Sequence, residues 1–474
     1  MNAPRKSAGL SLSEAHAGAR VALVHSALVL GIGLLSGALY AAWFSSSLRV
    51  TMLAVDFVLV GAAAALVVRW RDVLGFSTLG VARLLKLVGV VGLSLAAVAF
   101  TQWLVTDGNG VWLDESNYLD TLRRGEIVRD GVLPFNVRWL VPFVAGRWNL
   151  LPVDDATALK AVNFASLVVT CVFLVLLLVR LRVPLALALT APLVLMSSYL
   201  GQYAAMNRLV IDAFNYATFV LLFHALLRPE HARWFGALLL LAACNSEKAV
   251  VWVPLFAVVT LLRSPRPWTG SQLRAAASTV LRVCWPALLY TVAIYLYVTP
   301  SRREFAPCID VLNRLSFTAV SSSVRNPCAQ GVSLQMLWFP FGPFTVFAAL
   351  ALPYCKPWLS ATALLLAPVF LQAVLATDTQ RMIAYSFIVF LPLGYVYLAA
   401  ALAGMPRLLA TSLGAALTAL IVVEHFLFPT LRELGRVLPT NLSKLSMSTL
   451  EVVLVGAVVL LHHCLYASRS GRAG

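Results

Sequence analysis

Charge is what this sequence has least of. Asp, Glu, Lys and Arg make up 12% of its 474 residues, and acids are the scarcer sign, 20 against 36 bases. A soluble chain of this length needs far more charge to cover its surface, because those four residue types stay out of apolar cores. Two soluble domains would otherwise be the default for the length, and the composition excludes them. The seven cysteines form no CxxC, and there is no HExxH or Cys/His cluster of ligand spacing, which excludes a structural zinc module. No glycine pattern follows a strand and opens a helix, so no nucleotide cradle is supported. No internal repeat is visible, which removes one usual pointer to a secondary transporter.

What is present is apolar: 60% hydrophobic residues and a mean hydropathy of +0.86. The apolar residues fall in repeated runs, most of them roughly 18 residues or longer, enough to cross a hydrocarbon core ~30 Å thick. The runs are 21–44, 50–68, 85–105, 158–180, 183–206, 208–227, 234–246, 249–262, 281–299, 336–355, 357–376, 382–402, 408–428 and 446–467. The expected fold is therefore all-α, a polytopic membrane helix bundle of about fourteen spans with periplasmic surface helices. The pair 234–246 and 249–262 is short for full crossings, and two short spans or a re-entrant hairpin both fit it. The first run is too long, and lacks the small-residue exit, for a cleaved signal peptide.

An even span count and a basic N-terminus (Arg5, Lys6, Arg20) place both ends in the cytoplasm, with the chain multi-pass in a bacterial inner membrane. On this map Lys and Arg divide almost evenly between the two faces, whereas Glu14, Asp72 and Glu230 are the only acids inside. The net charge of +16 thus belongs to the cytoplasmic face, where anionic headgroups rather than nucleic acid are the natural partner. The outer face carries bases and acids together, and that mixture marks a site. Of the cysteines, Cys171, Cys244, Cys284, Cys355 and Cys464 lie in or beside spans as small packing residues. Cys308 and Cys328 share one external loop and are expected to pair there.

The longest external loop, 106–157, reads TDGNGVWLDESNYLDTLRRGEIVRDGVLPFNVRWLVPFVAGRWNLLPVDDATALK from its first residues onward. Its apolar residues recur at helical spacing (Leu119, Leu122, Ile127; then Leu140, Phe143, Val144), which predicts short amphipathic helices lying on the membrane surface. Trp112, Trp139 and Trp148 suit the aromatic belt at that depth. Asp114 and Glu115 stand at the outer mouth of the third span, followed by Tyr118 and Asp120. Adjacent carboxylates repel and must be solvated or paired. A carboxylate held there can deprotonate an acceptor hydroxyl or hold a divalent cation, while a solvated acidic loop explains the same residues. Arg138, set among aromatics and prolines in PFNVRWLVPF, is either an interface snorkeller or a phosphate clamp. Arg208 with Asp212, Glu247 with Lys248, and Asp378 with Arg381 each lie at an external helix end. Taken singly, each is most simply a local ion pair. Together they put both signs repeatedly on one side.

The acidic pair after an early span, the surface-helix loop ending in an R-x-L-x-P-type segment and the later D-x-x-R before a span resemble the GT-C superfamily. These are integral-membrane glycosyltransferases that use polyprenyl-phosphate sugars, and they include protein O-mannosyltransferases and lipid A aminoarabinose transferases. The likeness covers roughly 85–402, with Arg208–Asp212 and Asn245-Ser-Glu-Lys248 also resembling bacterial members. It implies a catalytic carboxylate at Asp114, supported by Glu115, facing the periplasm. Tyr118, Arg138, Arg208, Lys248, Asp378 and Arg381 are the substrate-binding expectations. The implied partners are a polyprenyl-phosphate sugar donor, a lipid or glycan acceptor and the membrane itself. A divalent cation is the one cofactor the acids could organise, and no metal ligand is assigned.

Two departures shape the expected organisation. Those families usually place the acids after the first span, so 1–84 reads as a two-span addition, 85–402 as the catalytic module and 403–474 as C-terminal spans. Many members also carry a C-terminal soluble domain, for which this chain has only a short tail. The rival expectations are a transporter or flippase of a lipid-linked sugar or anion, and an O-antigen-type polymerase or ligase. Asp56, Glu451, Glu424-His425 and His462-His463 read as solvated, paired or interfacial residues.

Overall fold

The structure is a computed structural model, and it describes residues 113–128, 137–147, 154–206, 209–227, 232–264, 267–298, 341–352, 385–403, 405–422 and 453–463. All of them belong to the second of two compact units, Val98–Gly474. The described residues are helical, with no strand among them. The expected runs 21–44, 50–68, 85–105 and 357–376 lie outside the described residues. So do Cys308, Cys328, Arg208, Asp378, Arg381 and the side chain of Asp114.

Two short helices come first, α1 (Leu113–Arg124) and α2 (Leu140–Arg147). Apolar residues of both helices pack onto the protein. Tyr118, Leu119 and Leu122 pack with Val141 and Ala145 against Ala158 and Leu159 and the turn Leu209–Ile211. Trp139 donates its indole N–H to the Tyr290 hydroxyl. Helix α3 (Asp155–Arg180) follows, and its start is written in the sequence. Asp154 is the N-cap, accepting from Thr157 N at 2.9 Å, while Asp155 and Arg180 complement the helix dipole at opposite ends. The helix stops at Arg182, whose positive φ of 67° lets the Arg182 and Val183 amides turn back to Val179 and Leu178.

The run 183–206, expected as one span, is three helices: α4 (Leu185–Ala188), α5 (Ala191–Ser197) and α6 (Tyr199–Met206). Pro184 and Pro192 each begin a helix, and neither supplies an amide to continue the one before. Ser198 is extended (φ −67°, ψ 164°), and its hydroxyl bonds the Leu195 carbonyl, competing with the helical ladder.

Helix α7 (Asp212–Leu226) is apolar nearly all round, with thirteen of its fifteen residues buried, as befits a central helix. It packs on α3 and on α8 (Ala232–Asn245). A 3-10 turn (Glu247–Val251) joins α8 to α9 (Trp252–Leu262). Phe235 of α8 stacks on Phe256 of α9 at 4.4 Å, so the chain reverses at this turn and 234–262 is a helical hairpin. Both arms lean on α10 (Gly270–Val298).

At 29 residues, α10 is about 43 Å long at ~1.5 Å per residue. Leu281, Trp285, Leu289, Val292 and Leu296 form a stripe along it, each half or more exposed. An outward apolar stripe of that length calls for lipid or a partner, since water-facing surfaces rarely carry one. Among the described residues, helices α3 and α10 are the two that are long and apolar enough to cross a membrane. Helices α11 (Pro343–Ala351), α12 (Phe387–Ala403) and α13 (Arg407–Val422) complete the described bundle, with a further helix at Val453–His463. α11 and α12 meet closely at Gly394, which Phe344 faces. Cys171 and Cys284 are buried thiols, as packing residues should be, and Cys244 is half-buried.

Candidate functional site

One end of the bundle gathers the N-terminus of α7, the hairpin turn after α8, the segment before α2 and the start of α12. Its residues come from distant parts of the chain. Val137 and Trp139 pack toward Ile294, Val298, Tyr290 and Tyr295 of α10. Arg138, between them, is buried.

There its guanidinium makes a two-pronged pair with Glu247. Nε donates to Oε2 at 3.0 Å and Nη2 donates to Oε1, while Nη1 reaches the Tyr118 hydroxyl at 3.5 Å. Burial opposes the Arg138 charge, but the Glu247 carboxylate and the Tyr118 oxygen outweigh it and hold the group protonated well above the ordinary arginine range. Burial likewise works to raise Glu247, and the Arg138 charge and hydrogen bonds overcome that, setting the carboxyl below its usual value. The Arg138 side chain is 8% exposed and that of Glu247 26%. The carboxylate is thus the outer member of the pair.

Lys248, the next residue, turns the other way. Its Nζ bonds Asp212 Oδ1 at 3.2 Å and stands 4.1 Å from the centre of the Tyr385 ring. The two side chains are only 4% and 3% exposed. Around them lies a polar network: Asn215 donates to the Tyr385 hydroxyl at 3.2 Å, and Asn245 donates to Asn215 Oδ1 at 2.8 Å. Asn245 Oδ1 is buried with no hydrogen-bond partner. Ser246 caps the 3-10 turn by accepting from the Lys248 amide, and its hydroxyl is 3.5 Å from Glu247 Oε2.

These contacts correct the expected local pairing. Glu247 and Lys248 do not serve one another as hydrogen-bonded partners; each takes a residue from another element, and Asp212 holds Lys248. Arg138 is buried, and in this structure its charge is met by Glu247. Tyr118 is in the site, against Arg138. Glu115 is 4% exposed and has an interaction partner, so it is drawn inward rather than solvated. Asp114 occupies the first turn of α1, four residues before Tyr118 and so on the same helix face. Arg208, Asp378 and Arg381 fall outside the described residues, although Tyr385, four positions beyond Arg381, reaches Lys248.

Asn215 and Tyr385 are site residues that the sequence alone did not mark out, while Glu247 and Asn245 were marked only as members of local motifs. The available signal was Asn245-Ser-Glu-Lys248, four polar residues interrupting apolar helix, together with Asn215 inside an apolar run. Among the described residues no group of three His, Cys, Asp or Glu side chains is gathered as a metal site would need.

The opposite end of α7 is different in kind. Arg180 donates to the His224 carbonyl at 3.1 Å and Arg263 to the Leu226 carbonyl at 2.6 Å. Two guanidinium groups from separate elements thus satisfy the carbonyls that a helix C-terminus leaves unpaired. No family model matches this chain, and no curated protein matches it.

Proposed function

We propose that the chain is an integral-membrane glycosyltransferase of the GT-C type, a multi-pass bundle of about fourteen spans in a bacterial inner membrane. It moves a sugar from a polyprenyl-phosphate donor to a cell-envelope acceptor at the periplasmic face. The observation that carries this reading is the Tyr118–Arg138–Glu247 contact. It brings the helix bearing Asp114 and Glu115 to the guanidinium best suited to a phosphate, from positions far apart in sequence.

In this reading Asp114 takes the proton from an acceptor hydroxyl. The oxygen attacks the anomeric carbon from the face opposite the phosphate, the carbon–oxygen bond to the phosphate breaks, and the configuration inverts. Negative charge grows on the departing lipid phosphate. Positively charged groups placed there stabilise the transition state more than the ground state. Arg138, with Arg208 and Arg381, supplies that charge. Lys248, pinned between Asp212 and Tyr385, holds the turn that carries Glu247. Glu115 supports α1 from within. The outward stripe of α10 supports a lipid setting in which the donor's tail is at home.

One observation favours a second reading, a transporter or flippase of a lipid-linked sugar: the run 183–206 is broken at Thr190 and Ser198, and interrupted helices form substrate sites in many transporters. Reconstituted protein given a radiolabelled polyprenyl-phosphate sugar and an envelope extract separates the two. Label moving to the acceptor supports transfer. Label crossing the bilayer still attached to its lipid, with no acceptor product, rejects transfer in favour of transport.

A further inference from the structure

We infer that Glu247 is a built-in competitor for an anion at Arg138: its carboxylate holds the place that a phosphate monoester, the leaving group of the proposed transfer, takes, and vacates it when that ligand binds. The inference deepens the proposed function and rests on it only for the lipid origin of the phosphate.

Three features of the structure carry it. The first is the geometry of the pair. A guanidinium edge offers two parallel N–H groups, which carboxylate and phosphate oxygens accept in the same two-pronged way. Glu247 uses that edge through Nε and Nη2. The Tyr118 hydroxyl accepts from the remaining nitrogen and so fixes the plane of the guanidinium whichever anion takes its other edge.

The second is the order of the two groups. Glu247 is three times as exposed as Arg138, 26% against 8%. A ligand arriving from outside meets the carboxylate first. It gains the guanidinium only by replacing that carboxylate, since like charges cannot share one edge.

The third is what stays still. Lys248 is fixed by Asp212 and the Tyr385 ring, and Ser246 caps the same turn. The backbone on both sides of Glu247 is therefore anchored. The carboxylate can leave by rotation of its own side chain, on which the Ser246 hydroxyl, already donating to Oε2 at 3.5 Å, is a second partner besides Arg138. The self-made pair also removes the need to keep a bare arginine buried while the site is empty, a state that is strongly disfavoured.

The test is binding of two probes, inorganic phosphate and a C15 prenyl monophosphate, to the full-length purified chain in detergent. Glu247→Gln keeps the side chain's shape and removes its negative charge. It should tighten binding by something between ~5-fold and ~150-fold, the usual span of a coupling between competing states. Arg138→Gln/Glu247→Gln should lose the gain. Where Glu247→Gln fails to give a native melting transition, Glu247→Asp serves instead: it keeps the charge, shortens the reach by one methylene and should tighten binding to a lesser degree.

Unchanged or weaker binding in the folded variant overturns the competitor role, and so does absence of binding by every form. The lipid reading fails separately. Glu247→Gln tightening both probes equally supports a competitor for free phosphate and counts against a lipid phosphate as the ligand. Tight prenyl-phosphate binding that Glu247→Gln leaves unchanged overturns the competitor and leaves the lipid-phosphate reading of the site standing.

Discussion

Glu247 and Lys248 are neighbours in the chain, yet their charges are satisfied in opposite directions: Glu247 by Arg138, 109 positions earlier, and Lys248 by Asp212, 36 positions earlier. A two-residue charge alternation at a helix break thereby ties the loop before α2 and the first turn of α7 to one short turn. Each pair is separately neutral, so the cluster adds no net charge to an apolar bundle. Breaking either pair leaves a buried charge of one sign, and this asymmetry makes the arrangement testable.

Lys248→Met removes the counter-charge of Asp212, which is 3% exposed. Stripping one partner from such a pair costs roughly 3–5 kcal/mol, whereas replacing both by apolar residues is often nearly neutral. Lys248→Met should therefore lower the melting temperature of the detergent-purified protein sharply. Lys248→Met/Asp212→Leu should recover most of the loss. Equal stability of Lys248→Met and the wild type would show that the pair is not buried as described.

A Cβ placed on Gly201 would lie 2.4 Å from the Met196 Cα and 2.5 Å from its carbonyl oxygen. The obstruction is backbone, so it cannot be relieved by a rotamer change. Gly201→Ala should cost about 1–3 kcal/mol or more, as overpacking does, and disturb the junction of α5 and α6. Gly270→Ala, where nothing lies within 4 Å, is the control and should unfold like the wild type. Equal melting of the two variants contradicts the break at Ser198.

The acid limb of stability should belong to carboxylates. Glu247 is held below the usual carboxyl range by Arg138 against the effect of burial. Asp154 is similarly lowered, by its Thr157 bonds against partial burial. A depressed folded value means the unfolded chain binds more protons in the window between the two values, so stability rises with pH there. The contribution is complete above the ordinary value of ~4 and is lost as pH falls through the depressed folded values. Arg138, shifted upward, has the opposite sign, and its contribution is lost only at strongly alkaline pH. Melting scanned across pH 2–8 should thus fall on the acid side, and less steeply in Asp154→Asn. A slope unaltered by that substitution would remove Asp154 from the account.

If Asp114 is the base, Asp114→Asn should keep folding and donor binding while sugar transfer drops by ~10²–10⁴-fold. Arg138→Ala and Arg381→Ala should weaken donor binding as well as slow the leaving group, each by removing a charge-assisted contact. Asp378 is three positions before Arg381, within one helical turn, so Asp378→Ala should reproduce part of the Arg381 defect. Donor binding and transfer are measured in parallel on purified variants. Full transfer by Asp114→Asn ends the base assignment, and unaltered donor binding in both arginine variants ends the phosphate clamp.

The helical character of the described residues was legible from the apolar runs, because a long apolar run that meets lipid must satisfy its backbone within its own segment. Helix α3 was also legible: the run 158–180 sits within Asp155–Arg180, with its cap at Asp154. So was the helical nature of the loop around Leu119 and Leu140. The three-way break of 183–206 was only half visible. Pro184 and Pro192 announce it, but Ser198 has no strong sequence signal, and hydropathy averages across such a break.

The charged residues mark the limit most clearly. Sequence alone determined that acids and bases would cluster at helix ends, since an apolar run cannot hold them inside, and that Arg138 and Lys248 would be among them. It could not determine their partners. Proximity in the chain favoured Glu247 with Lys248 and Asp212 with Arg208, whereas packing of α7, α8 and the segment before α2 joined Arg138 to Glu247 and Lys248 to Asp212. Helical periodicity is a local property, fixed within a few residues by backbone geometry. Which helix ends meet, and which charge faces which, is decided by the burial of whole apolar faces against one another. That information is distributed over the chain and becomes explicit only when the helices pack.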